Sequence, residues 1–148
     1  MYIQHCQSEI NDSTRCRIYK EIKLRFGSEP YMACNINNTL RSSYTKFRLS
    51  SHKFMVERGR WMKPKVVYEE RKCNLCKNGD IEDEYHVSMI CSFFKHVRTK
   101  YIKPYYYQRP SMQKFVELLN TTNTRERFRL MLFIKIMFKM YIDTIIEL

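Results

Sequence analysis

Apolar side chains recur at three- and four-residue spacing along much of the N-terminal part, which is the spacing of one face of an α-helix. This spacing predicts a helix over about residues 13–26, with Gly27 as its stop. A second helix is predicted to start at Ser28 and to carry its apolar stripe as far as Phe47. The pattern is then lost, and residues 50–72 are expected to form an irregular basic arm with at most short strands.

Helical spacing returns in the C-terminal part of the chain. It predicts a helical run over residues 87–101, and Pro104 should end that run before an aromatic linker of three tyrosines. Residues 111–119 should form a short helix that a serine caps, and residues 125–146 a long final helix after a polar turn.

Three glycines and four prolines are few turn-forming residues for a chain of 148 residues. That scarcity favours a mainly α fold over a sandwich or barrel, which needs frequent turns. The length suits one domain. We divide that domain into four parts. They are a helical N-terminal part (residues 1–49), a basic arm (50–72), a metal-binding knuckle with its following helix (73–103) and the C-terminal helices (111–148).

The final predicted helix is the most hydrophobic segment, but it carries Lys135, Lys139 and Asp143 at four-residue intervals. These charges share one helix face and would be costly within a lipid bilayer, so we expect an amphipathic helix and no membrane partner. The N-terminus is polar and lacks the apolar run of a secretory signal. We therefore expect an intracellular protein, nuclear or cytoplasmic.

Charge is unevenly distributed within the net +12. Residues 41–72 carry ten basic and three acidic side chains, and residues 92–114 carry six basic and no acidic ones. The stretch between them, residues 73–91, has a net charge of −3. Two basic stretches that flank an acidic one fit a polyanion such as nucleic acid, although a solvated basic surface gives the same composition.

Four residues have the spacing of a metal knuckle. Cys73 and Cys76 are separated by two residues, nine more lead to His86, and four more to Cys91. A Cys-x2-Cys pair alone would also fit a redox site, but three thiolates and one imidazole complete a tetrahedral zinc site. Such a site leaves no position for water or substrate. The sequence therefore predicts one structural Zn²⁺.

The spacing of the last two ligands constrains the backbone. His86 and Cys91 are five residues apart, which is about 140° around a continuous α-helix. They cannot both face one metal from an unbroken helix, so we predict a break near Cys91, with Ser92 capping a new helix. His96 is a possible substitute ligand. The remaining cysteines are isolated and are expected to be small buried hydrophobic side chains; they are Cys6, Cys16 and Cys34.

Several segments in this order resemble the C-terminal region of non-LTR retrotransposon reverse transcriptases, downstream of the polymerase. The residues that carry the resemblance are LSSH at 49–52, VERGR at 56–60, RKCNLC at 71–76, IEDEYH at 81–86, Cys91 and Arg98, with weaker similarity at 17–20, 26–31 and 115–140. Family members often have proline after the last cysteine, where this chain has Ser92. Both residues suit a helix start.

The resemblance implies a tail that helps a reverse transcriptase hold template RNA or target DNA. It does not imply an active site here, because the sequence has no Tyr-x-Asp-Asp box and its one acidic cluster spans residues 80–84. Those acids are expected to oppose the basic flanks or to favour a helix N-terminus. The chain begins partway through the family pattern, as a truncated element or an excerpt of a longer reading frame would.

We therefore expect a non-enzymatic module that binds RNA or DNA with low sequence specificity. Trp61 fits a core anchor and a base-stacking platform equally, while the Tyr105–Tyr107 run fits packing between helices better. The residues expected to contact nucleic acid are Arg41, Lys46, Arg48, Lys53, Arg58, Arg60, Trp61, Lys63, Lys65, Lys95, Arg98, Lys100 and Lys103.

A different class of function also fits the sequence. A zinc-stapled interaction domain would dock on a reverse transcriptase polymerase domain or on a host protein. An exposed apolar patch around Phe133, Met137 and Met140 would favour this alternative. A degraded element without present function is a third possibility that the residues leave open.

Overall fold

Eight α-helices follow one another in the part of the chain that the computed structural model describes, residues 2–23 and 27–147. These ranges contain no β-strand, and an isolated antiparallel bridge joins Lys72 to Ile81. The mainly α fold is thus confirmed. The helices are α1 (Tyr2–Asp12), α2 (Arg17–Ile22), α3 (Asn38–Arg48), α4 (Met55–Trp61), α5 (Lys95–Tyr101), α6 (Pro104–Tyr107), α7 (Met112–Leu119) and α8 (Thr124–Glu147). Shorter helical turns lie at Pro30–Ala33, Tyr68–Glu70, His86–Ile90 and Ser92–Phe94.

The long helix α8 forms the centre of the core, with α3 and α5 packed against it. Its buried side chains include Met131, Phe133 and Met137, while Lys135 and Lys139 are exposed. This is the amphipathic helix that the sequence predicts. Among the described residues, no helix combines the length and the apolar character that crossing a membrane requires.

Helix α7 and the start of α8 form as predicted, because local side chains cap them. The Ser111 side chain accepts a hydrogen bond from the Lys114 N–H at the start of α7. After the polar turn, the Asn123 side chain accepts one from the Glu126 N–H in the first turn of α8. Predictions that rest on local capping therefore agree with the structure here.

The second predicted helix is broken in the structure. Pro30–Ala33 forms only a 3-10 turn, and α3 begins at Asn38, where the Asn37 side chain accepts a hydrogen bond from the Thr39 N–H. The predicted first helix is also shorter, because α2 spans only Arg17–Ile22, and residues 24–26 lie outside the described ranges. Helix α1 was not predicted.

Two segments that were predicted to be irregular contain helices. The basic arm includes α4, because the Glu82 carboxylate accepts a hydrogen bond from the Met55 N–H at the start of that helix. The contact spans 27 residues of sequence and leaves no local signal. The predicted aromatic linker forms the single turn of α6, in which Tyr106 is buried and Tyr105 is exposed.

A buried ionic cluster joins the N-terminal part to the core. The Glu29 carboxylate lies 2.8 Å from the Lys23 Nζ and 3.1 Å from an Arg48 guanidinium nitrogen. Arg48 also donates to the Leu119 carbonyl oxygen at 2.7 Å. Burial acts to raise the pKa of Glu29, but the Lys23 hydrogen bond and the two cations outweigh it and hold that pKa below its ordinary value.

We predict that Glu29→Gln lowers the free energy of unfolding at pH 7 by about 1–2 kcal/mol, through loss of a charged hydrogen-bond acceptor. Because the folded-state pKa is depressed, this stabilisation is complete above the ordinary carboxyl pKa and is lost as the pH falls through the folded value. Urea unfolding between about pH 3 and pH 7 should show a shallower acid limb for the variant. The exposed Glu21→Gln is the control, and equal acid limbs for Glu29→Gln and wild type would contradict the prediction.

Candidate metal centre

A tight turn presents the two cysteines of the Cys-x2-Cys pair. The Cys73 N–H donates to the Asp80 carbonyl oxygen and the Glu82 N–H donates to the Arg71 carbonyl oxygen, each at 2.9 Å. The chain reverses at Gly79, whose φ of +78° is in the left-handed region that glycine adopts most easily. This turn brings residues 81–91 back over the two cysteines.

A π-helical turn presents the other two candidate ligands. The Asp83 side chain accepts a hydrogen bond from the His86 N–H at 2.8 Å and so caps the turn His86–Ile90. The Cys91 N–H then donates to the His86 carbonyl oxygen at 2.8 Å, an i to i+5 bond that is wider than an α-helical one. This wider turn places both side chains toward one point.

The predicted break at Cys91 is confirmed, because its backbone is extended, with a ψ of 123°. The predicted capping role of Ser92 is wrong. Cys91 itself occupies the cap position, Ser92 begins a 3-10 turn that leads into α5, and no side chain caps that turn. The backbone change at Cys91 therefore starts the new helical segment without a serine cap.

The four ligand atoms of Cys73, Cys76, His86 and Cys91 all lie within 4.8 Å of one another, and all four residues are buried. The Cys73 and Cys91 Sγ atoms are 3.9 Å apart, and the Cys76 Sγ is 3.2 Å from the His86 Nε2. The three thiols are free of disulfide bonds. This cluster could hold one metal ion. His96 is exposed and lies outside it.

The surroundings shift the pKa values of the four candidate ligands in different directions. The hydrogen bond between Cys73 and Cys91 raises the pKa of the Cys73 thiol, with burial adding to the effect, and lowers that of Cys91. Burial also raises the pKa of Cys76. For His86, burial favours the neutral ring, but Cys73 and the Asp80 charge outweigh it and raise the pKa. Without a metal, these shifts favour the protonated forms of Cys73, Cys76 and His86 and the thiolate form of Cys91.

The Asp80 carboxylate lies next to the His86 ring, on the side away from the other candidate ligands. The Asp80 Oδ2 lies 3.2 Å from the His86 Nδ1, on the ring nitrogen opposite the one that faces Cys76. The two atoms are close enough for an ion pair when the histidine is protonated, but their alignment is not that of a hydrogen bond. Carboxylates in this outer position commonly orient metal-binding histidines.

Arg98 holds the π-helical turn in place from inside the protein. It is only 4% exposed and donates to the carbonyl oxygens of Ser88, Val87 and Cys91 at 2.5, 3.1 and 2.7 Å. These carbonyls end a helical turn and have no partner within it. Arg98 was predicted to contact nucleic acid, but its guanidinium is used inside the protein.

Arg71 has a similar internal role that the sequence did not reveal. Its guanidinium donates to the carbonyl oxygens of Val56 and Val66 at 2.9 and 3.0 Å. Its side chain lies directly over Gly59, where an added Cβ would be 2.9 Å from the Arg71 Cγ. The Gly59 carbonyl oxygen in turn accepts from the Val66 N–H. Arg71 therefore joins α4 to Val66, which follows the loop at residues 62–65.

Two acids of the knuckle, Glu82 and Glu84, lie inside the protein. The Glu82 carboxylate accepts hydrogen bonds from the Met55 N–H and the Tyr141 hydroxyl, at 2.7 and 2.5 Å. The Glu84 carboxylate lies 2.7 Å from the His52 Nε2, and both side chains are buried. As expected, one of these acids favours a helix N-terminus, that of α4. The sequence assigned His52 no role, and the structure places it in this buried network.

The residues predicted to contact nucleic acid fall into three groups by exposure. The exposed ones are Lys46, Lys53, Trp61, Lys63, Lys65, Lys95, Lys100 and Lys103. Arg41, Arg58 and Arg60 are half-buried; Arg41 donates to the Cys34 carbonyl oxygen and Arg60 to that of Thr14. Arg48 and Arg98 are buried, and we remove both from the set because their guanidinium groups satisfy internal carbonyl groups.

Helix α8 contributes basic side chains that were not predicted as contacts. Arg125 and Arg129 line a shallow cleft of about 360 Å³ together with Lys103 and Tyr101. Arg129 also donates to the carbonyl oxygen of Tyr101, near the end of α5. Because the two arginines and the end of α5 are more than twenty residues apart in sequence, local spacing carried no signal of this cleft.

Comparisons with models of protein families, with curated proteins and with solved structures found no match. The resemblance to the C-terminal region of non-LTR retrotransposon reverse transcriptases therefore stays a prediction. It continues to depend on the segments that flank the four candidate ligands.

We predict that Arg98→Ala lowers the free energy of unfolding by about 2–4 kcal/mol, because three buried carbonyl groups lose their donor. Lys100→Ala, on the exposed side of the same helix, should change it by less than about 0.5 kcal/mol. Urea unfolding followed by circular dichroism measures both values. A variant at position 98 that is as stable as wild type would show that the arginine is not a structural element.

Proposed function

We propose that this chain is a zinc-stabilised, non-catalytic module that binds nucleic acid. In this proposal it corresponds to the C-terminal region of a non-LTR retrotransposon reverse transcriptase and helps to hold template RNA or target DNA. The observation that carries the proposal is the buried cluster of three cysteines and one histidine, whose ligand atoms lie within 4.8 Å of one another. The zinc, the absence of catalysis and the nucleic acid are argued separately below.

Zinc is the metal that best fits the donor set. Three soft thiolates and one imidazole in a closed site suit Zn²⁺, whereas calcium and magnesium prefer oxygen ligands. Tetrahedral coordination with Zn–S bonds of about 2.3 Å separates two thiolate sulphurs by about 3.8 Å. The Cys73 and Cys91 Sγ atoms are 3.9 Å apart. The bound metal would stabilise the fold of residues 71–98.

A structural role fits better than a catalytic one. Four protein ligands would fill a tetrahedral metal and leave no position for a reacting water. The nearby acids are also engaged, since Glu82 binds the start of α4 and Glu84 binds His52. Carboxylates used in this way are not free to activate water or to hold a second metal ion.

Nucleic acid is the partner that the exposed basic side chains favour. Trp61 is 75% exposed, so it is not a core anchor and its ring is free to stack on a base. Trp61 is the last residue of α4, and Lys63 and Lys65 are exposed in the loop that follows it. An aromatic ring followed by two lysines suits an unpaired strand, with stacking from the ring and phosphate contacts from the amines.

A protein-interaction domain is the alternative function. An exposed apolar patch on α8 would favour this alternative, but Phe133 and Met137 of that helix are fully buried. Exposed apolar side chains do occur elsewhere, at Trp61, Met62, Val67 and Tyr68, which are close together in sequence. We place this alternative second because the loop that follows Trp61 also carries two exposed lysines.

We predict that the purified chain carries one zinc per molecule and that Cys73→Ser loses it. Removing one thiolate breaks the closed ligand set, whereas Cys34→Ser removes a thiol outside the cluster and should keep a full equivalent. Inductively coupled plasma mass spectrometry measures the metal content. A wild-type chain without zinc, or a Cys73→Ser variant with a full equivalent, would refute the zinc proposal.

We predict that affinity for a single-stranded RNA 12-mer falls steeply as salt rises, and that Lys63→Ala/Lys65→Ala makes the slope of log K against log[salt] shallower by about 1–1.5. Trp61→Ala should weaken binding by about 1–3 kcal/mol, the usual contribution of one stacked base. Fluorescence anisotropy at several salt concentrations measures both effects.

The control for this experiment is Arg109→Ala/Lys135→Ala, which removes the same charge from exposed positions outside the set. It should leave the slope within error of the wild-type value. Affinity that does not change with salt would refute nucleic-acid binding. If Trp61→Ala binds the RNA as tightly as wild type does, the exposed Trp61 would favour the protein-interaction alternative.

A further inference from the structure

A cleft of about 530 Å³ opens between α3, the segment at residues 51–54 and the C-terminal half of α8. This volume lies within the usual range of small-ligand sites. It is separate from the metal cluster, none of whose four residues lines it. Its lining residues include Lys46, Lys53 and Lys139 with Phe54, Phe138 and Tyr141.

The mouth of the cleft is basic. Lys46 comes from α3, Lys53 from the following segment and Lys139 from α8, and all three are exposed. Asp143 also lines the cleft and lies 3.6 Å from the Lys139 Nζ. Three amines against one carboxylate leave a net positive rim, which favours an anionic group such as a phosphate. The lysines converge only in the folded chain.

The inner part of the cleft is aromatic and has few free polar atoms. Phe54 and Tyr141 are buried, and the half-buried Phe138 packs against Phe54 with ring centroids 5.6 Å apart. The Tyr141 hydroxyl donates to Glu82. One His52 nitrogen pairs with Glu84 and the other accepts from the Phe54 N–H. The polar groups of Tyr141 and His52 are thus satisfied inside the protein, and the half-buried Phe138 offers apolar contact. Ser43 and Ser51 also line the cleft.

We propose that this cleft takes one unpaired nucleotide of a bound single strand. Its base would lie on the apolar floor beside Phe138, and the adjacent phosphate would lie among Lys46, Lys53 and Lys139. Contact between a base and the Phe138 ring does not depend on which base is present, so we expect the site to be sequence-tolerant. A base held in a duplex cannot enter. This inference depends on the proposed function and adds to it a second place, away from Trp61, where the strand is held.

Two variants distinguish the contribution of the base contact to affinity from that of the phosphate contact. Phe138→Leu keeps most of the apolar volume and removes the ring, whereas Lys139→Ala removes a charge from the rim. Lys135→Ala is the matched control, because this exposed lysine lies one turn earlier on the same helix and does not line the cleft. Thermal unfolding of each variant verifies that it is folded.

The probes are a thymidine DNA 12-mer and an abasic DNA 12-mer, which carry the same phosphates. Phe138→Leu should reduce the preference for the thymidine 12-mer by about 5-fold or more while affinity for the abasic strand stays at the wild-type value. Lys139→Ala should weaken both strands by about 3–10-fold. Lys135→Ala should bind both as wild type does. Fluorescence anisotropy gives the affinity of wild type and of each variant for both strands.

A photo-cross-linking measurement gives an independent readout that does not need a variant. A 12-mer containing 5-iodouridine should cross-link to residues 138–142 in wild-type protein, as mapped by mass spectrometry. Cross-links only at other positions would overturn the inference, as would Phe138→Leu and Lys139→Ala variants that bind both probes as wild type does. Salt-dependent binding by the wild type would then still support the proposed function. A wild-type chain that binds neither these probes nor the single-stranded RNA 12-mer would overturn both.

Discussion

His86 and Cys91 are five residues apart, and the requirement that both reach one point shapes the chain around them. An α-helical turn would point them apart, so the backbone widens to a π turn and leaves it at Cys91 in an extended conformation. Where the chain leaves the π turn, the carbonyl groups of Ser88 and Cys91 have no partner within the turn. Arg98, which belongs to α5, donates hydrogen bonds to them. Because α5 packs against α8, the geometry of two ligands also sets how the knuckle meets the core.

Charge is sorted between the inside and the surface of the molecule. Glu82 and Glu84 are buried against internal donors and Glu29 is half-buried against Lys23 and Arg48, whereas most of the other acidic side chains are exposed. Most lysines lie at the surface, where the long flexible side chain keeps its amine in water. The arginines divide between the two environments, since a planar guanidinium can satisfy several carbonyl groups at once. The exposed positive charge is therefore carried mainly by lysines.

Elements that local residues determine could be predicted from the sequence, and those that distant contacts determine could not. Helix α7 and the break at Cys91 follow from nearby residues: a capping serine and the ligand spacing. Helix α4 was missed because the carboxylate that binds its first turn is Glu82, far along the chain. Arg48 was misplaced for the same reason, since the carbonyl group that it binds lies in α7. Charge patterns alone do not distinguish a cation that faces solvent from one that satisfies the interior.

Arg71 lies two residues before Cys73 and joins α4, which ends at Trp61, to Val66 beyond the following loop. The exposed aromatic ring and the metal cluster are therefore joined by one side chain, closed over a glycine that leaves no room for a methyl group. Under the proposed function, metal binding that orders Arg71 would also order the loop that meets the strand. Thermodynamic linkage is reciprocal, so a strand bound at that loop would tighten the hold of the chain on its metal by the same factor.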